Sequence, residues 1–157
     1  MQNELHFPFD RRYSEDLGFI LQCLLKAESF DALKMPYYEY RQNREGSITN
    51  TLNRKSFVDL GLFVTESINV LTQNHKAKST DAQTLLSIVA YEFSIMIWQY
   101  SQLEEADKPE ALAYLKQNKW VLRYGQTKKL KVIHGVSSVL GLWFASRMLA
   151  FYMRHRG

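Results

Sequence analysis

The sequence predicts a mainly α-helical protein with one short two-stranded β element. Three observations carry that prediction. Seven Gly and three Pro in 157 residues are too few turn formers for a β-rich fold. Apolar residues recur at helical spacing in segment after segment from Leu52 onward. Only "FDALKM" and "YYEYRQN", on either side of Pro36, are short, and the second is Tyr-rich and loosely alternating.

The first helix is expected over 14–28, "SEDLGFILQCLLKAE". Ser14 is placed to be its N-cap, with a hydroxyl that accepts a backbone N–H. Glu15 and Asp16 then fall in the first turn, where the helix dipole favours anions. Leu17, Ile20, Leu21, Leu24 and Leu25 form its apolar stripe, and Cys23 inside it reads as a buried structural thiol. The two strands follow, and then the loop "REGSITNT" at 44–51.

From Leu52 the pattern is helical. Phe57, Leu60, Phe63, Val64, Ile68 and Leu71 mark one buried stripe. "TDAQTLLSIVAYEFSIMIWQYSQL", capped by Thr80 or Asp81, is apolar on most sides and is expected to be enclosed. Asp107 and Pro109 suit the start of the next helix, and Gly125 suits its end. The tail from Thr127 holds one or two further helices, with a bend expected near His134–Gly135.

Charge narrows the classes of function. The formal charge is +4 with a pI near 9.1, which permits an anionic partner without requiring one. A single cysteine excludes an internal disulfide and a cysteine zinc site, and suits a reducing compartment. The first dozen residues lack the pattern of a signal peptide. Val132 to Met153 is long enough to cross a bilayer, but it carries His134 and Arg147. An Arg near the middle of a span costs about 2.5–3.5 kcal/mol. The segment is therefore read as packing on protein or lying on a membrane surface.

Few motifs carry chemistry. His6, His75, His134 and His155 show no metal-ligand spacing, and there is no Asp-x-Asp, Gly-rich phosphate loop or nucleophile elbow. Two features stand out. Glu15–Asp16 is either a dipole-favoured helix start or a site for a catalytic base. "YRQNREGSIT", at 40–49, places Arg41 and Arg44 around a turn that supplies Gly46 and Ser47, and such forks match phosphate oxygens. The alternative for that loop is a solvated turn with salt bridges to Glu39 or Glu45. Lys116 to Lys131, interleaved with Trp120 and Tyr124, reads as a solvated helix face or a contact for anionic lipid, in preference to nucleic acid.

Taken in order, Phe7-Pro8, Glu15-Asp16, Ala27, Pro36, Tyr40-Arg41, Arg44 and Gly46-Ser47-Ile48 resemble the second half of the catalytic domain of family 2 glycosyltransferases of the bacterial polysaccharide type. The match spans roughly residues 5–50. It implies that 1–51 is the acceptor and base side of a GT-A-like α/β domain, and that 52–157 is a helical C-terminal extension. It implies inverting transfer of a sugar from a nucleotide-sugar donor to a saccharide or lipid-linked acceptor. Asp16 matches the general base, and Glu15 a group that orients or binds acceptor. Arg41, Arg44, Gly46 and Ser47 match the loop that closes on the diphosphate.

The same resemblance places the nucleotide site and the metal-binding Asp-x-Asp in an N-terminal half that this sequence does not contain. The chain is then expected to be a fragment, inactive alone, that holds no metal of its own. The complete enzyme would use Mg or Mn. Work in the cytoplasm at the inner membrane face is implied, with an anionic membrane surface met through 116–157. Exposed strand edges would favour a homodimer. The competing expectation is a non-enzymatic helical module that docks on a membrane or a protein.

Overall fold

The computed structural model describes residues 5–7, 11, 13–29, 31, 34–35, 53–73 and 80–155. Among them 79% are helical and none is in a strand. The elements are α1 (Glu15–Lys26), α2 (Arg54–Gln73), α3 (Thr80–Tyr100), α4 (Lys108–Asn118), a 3-10 segment (Lys119–Tyr124), α5 (Lys128–Val139) and α6 (Gly141–Arg154).

The mixed fold class is therefore corrected to an all-helical one. Neither the β pair nor an α/β GT-A domain is present among the described residues. Asp31, Lys34 and Met35, from the expected first strand, are not extended into a strand. The remainder of the pair lies outside the described residues. The physical reason is that a lone two-stranded ribbon is marginal in water unless a sheet or helix covers it. The apolar stripes of this chain are instead satisfied by one another.

The packing centres on α3. It touches α2, α4, the 3-10 segment, α5 and α6. Leu86, Val89, Phe93, Met96 and Ile97 are almost wholly enclosed by these neighbours, while Ile88 and Tyr91 on the remaining side are exposed. The six α2 residues expected to be buried (Phe57, Leu60, Phe63, Val64, Ile68 and Leu71) all lie in the core. Helix α2 opens on a reciprocal cap. Asn53 Oδ1 accepts from Ser56 N at 3.0 Å, and Ser56 Oγ accepts from Asn53 N at 3.1 Å. Helix α3 follows α2 after residues 74–79. Their connection reaches at most about 25 Å, less than the ~30 Å length of α2. Such a connection is too short to place the two helices side by side in parallel, and they are in contact.

Other details depart from the sequence reading. Helix α1 lies on the core through Leu17, Leu21 and Leu25, but none of its residues is fully buried and Ile20 is 49% exposed. Cys23 is half-buried. Ser14 occupies the N-cap in the left-handed region (φ 60) and makes no side-chain cap. Asp16 Oδ1 instead accepts from Leu17 N at 2.8 Å. Asp107 precedes α4 without capping it and pairs with Arg54 at 3.5 Å.

Gly125 ends the 3-10 segment rather than α4, and at φ −62 it is not left-handed. It is needed for closeness: a Cβ there would lie 2.5 Å from Leu130 Cβ. The tail is two helices, and α5 continues unbroken through His134–Gly135. The break falls at Leu140–Gly141, where Gly141 has φ +86. No helix among the described residues is long and apolar enough to cross a membrane.

Candidate functional site

Helix α1 packs on α2, and charged residues of α1, α2 and α3 form a seam near its start. Its anchors are local. Phe7 packs on Phe19 with ring centroids 5.4 Å apart. Gln22 Nε2 donates to His6 O at 3.0 Å. These contacts hold residues 6–7 along α1.

Arg11 then reaches α2. Its side chain is buried, and Nη2 donates to both carboxylate oxygens of Glu66 at 2.8 and 2.7 Å. Glu66 itself is half in water. A buried guanidinium needs such a partner, because removing it from water is costly. Next along α2, Asp59 is buried and accepts from Lys55 Nζ at 3.1 Å through both oxygens. Tyr13 stands close enough to feel that charge. Its hydroxyl is pushed above its ordinary value, first by burial and then by Asp59.

The third acid of the seam is Glu92 on α3. It is only 9% exposed. Its carboxyl is raised from an ordinary 4.5 to about 7, chiefly by burial and secondarily by the Asp16 charge. Asp16, on the first turn of α1, is exposed to solvent, and Glu15 beside it is half-buried. A solvated carboxylate thus stands near a buried carboxyl that titrates around neutrality.

Of the residues singled out from the sequence, Glu15 and Asp16 lie on this seam. Arg41, Arg44, Gly46 and Ser47 lie outside the described residues. No three His, Cys, Asp or Glu side chains converge as metal ligands among the described residues.

Sequence reasoning missed Glu92, Arg11, Glu66 and Asp59. One of them had a signal. Glu92 is the only charged residue between Gln83 and Leu103, in a helix expected to be enclosed. Such a residue must be paired, protonated or at a site.

A concavity of about 220 Å³ opens between α2 and α4. Phe57, Leu62 and Ala111 make it apolar, and Arg54 stands at its edge with Asp107 and Glu110. Tyr114 closes one wall: its hydroxyl donates to Gly61 O at 2.8 Å and lies 2.9 Å from Thr65 Oγ1.

The chain matches no family profile, no curated protein and no solved structure.

Proposed function

We propose that this chain supplies the general base of an inverting glycosyl transfer, with Asp16 as that base. The observation that carries the proposal is the ordered set of residues from Phe7-Pro8 to Gly46-Ser47-Ile48, with Asp16 within it. The position of Asp16 supports it. A carboxylate on a helix's first turn is held by its own backbone and remains open to an incoming hydroxyl.

In the proposed step Asp16 takes the proton of an acceptor hydroxyl. That oxygen forms a bond to the anomeric carbon from the face opposite the leaving group. The bond from that carbon to the nucleoside diphosphate breaks, and the diphosphate leaves with the electron pair. Arg41 and Arg44 are the cations assigned to its developing charge. Donor binding is assigned to residues outside these 157, since the sequence has no phosphate loop and no Asp-x-Asp. The proposal rests on these residues and makes no use of a sheet.

The test is replacement of Asp16 by Asn at the native locus, with surface and lipid-linked saccharides read by mass spectrometry. One saccharide product is expected to disappear while the chain remains at its normal level. An unchanged saccharide profile would refute the assignment. The purified chain given nucleotide-sugars and acceptor is expected to transfer nothing above an Asp16→Asn control.

A second reading, a non-enzymatic helical docking module, is favoured by the exposed apolar residues at the junction of α5 and α6. It predicts that Asp16→Asn has no effect on saccharides.

A further inference from the structure

The turn between α5 and α6 is built in an unusual way for a water-facing corner. Within the run Val139-Leu140-Gly141-Leu142-Trp143-Phe144, only Leu142 turns into the core. Val139 is 83% exposed, Leu140 57%, Trp143 61% and Phe144 45%. Gly141, at φ +86, makes the sharp reversal that pushes these side chains outward. Helices α5 and α6 are in contact and joined through Leu140 alone, so they form a hairpin with this run at its tip. Four large apolar side chains concentrated at one tip are more than scattered surface hydrophobes.

The stretch of chain that carries the tip has charge of one sign. Residues 111–157 carry nine Lys and Arg and no acid, a net +9, while residues 1–110 carry −5. Lys116 and Lys119 line a concavity of about 320 Å³ together with Gly141 and Trp143. Arg147 lies over the Trp143 ring, 5.8 Å from its centroid. Glu105 shares a pocket with Trp143 and Arg147, and it is paired with Lys108.

We propose that this hairpin tip docks on an anionic phospholipid surface. Val139, Leu140, Trp143 and Phe144 enter the boundary between headgroups and acyl chains, and Lys116, Lys119 and Arg147 meet the lipid phosphates. Trp belongs at that boundary, because its ring is apolar with one polar edge. Apolar burial and basic attraction reinforce one another there. A nucleic-acid partner would use the cations but would leave Val139 and Leu140 in water, so the lipid surface accounts for more of the tip. This inference does not depend on the role of Asp16, because the two are read by different assays.

The experiment is co-sedimentation of the full chain with phosphatidylcholine vesicles, with and without phosphatidylserine. Binding is expected only with phosphatidylserine present, and it should weaken as salt is raised. The exposed double variant Leu140→Glu/Trp143→Glu, with its helicity checked by circular dichroism, is expected to bind roughly tenfold or more weakly. Lys116→Glu/Lys119→Glu should also weaken binding. Brominated phosphatidylcholine, mixed with phosphatidylserine, should quench tryptophan fluorescence in the wild type, and this quenching should largely vanish in Trp143→Tyr. Absence of vesicle binding, equal binding by the Leu140→Glu/Trp143→Glu variant, or binding to duplex DNA in place of vesicles would each overturn the proposal.

Discussion

Replacing Glu92 by Gln should make the protein more stable at alkaline pH and leave it nearly unchanged in acid. Glu92 is enclosed on α3, and its carboxyl is raised from 4.5 to about 7 by burial and by Asp16. The folded chain therefore holds this proton more tightly than the unfolded chain does. Between 4.5 and about 7 the folded state binds more protons, so stability is fullest below 4.5 and falls as pH rises to about 7. At about 1.4 kcal/mol per pH unit, the loss is roughly 3 kcal/mol.

Gln has a similar shape and no charge to bury, so the variant should escape that loss. Chemical denaturation at about pH 4 and about pH 8.5 measures it as a double difference, in which the other titrating groups largely cancel. The expected gain at the higher pH is about 3 kcal/mol, or roughly 6–12 °C in melting temperature for a chain of this size. Parallel pH profiles for wild type and variant would refute the argument. So would a variant less stable at both pH values, which would mean that the carboxyl makes a bond Gln cannot replace.

Two further predictions concern packing. Gly125→Ala should lower stability by about 1–3 kcal/mol, because the new methyl meets both Leu130 Cβ and the backbone oxygen of Leu122, and neither can rotate away; an unchanged denaturation midpoint would contradict this. Tyr114→Phe should cost about 1–2 kcal/mol by removing the hydroxyl that donates to Gly61 O and meets Thr65 Oγ1. If instead the variant matches wild type in thermal unfolding, water replaces both partners.

The features legible in the sequence are those that a single helix displays along its own length. The α2 stripe can be read residue by residue because its period is local, and all six of its expected core residues are buried. The burial of most of α3 was legible from the same kind of pattern, but not which side it gives to water: Ile88 and Tyr91 are exposed. Glu15 and Asp16 also fell in a first turn as their order along the chain requires.

Tertiary structure decided what depends on meeting another segment. Ile20 fits the α1 stripe by spacing, yet it faces water because α1 covers only one side of the bundle. Gly135 and Gly141 are equally good places for a bend on local grounds. The chain reverses at Gly141, where α6 folds back into contact with α5. Tyr-rich alternation around Pro36 suggested strands, but a strand needs a partner edge, and the described residues form only helices. The Glu92 carboxyl shows the same division most plainly. Its presence in an apolar helix is written in the sequence, but its carboxyl is raised to about 7 chiefly by burial in the bundle and further by the charge of Asp16, which lies 76 positions earlier in the chain.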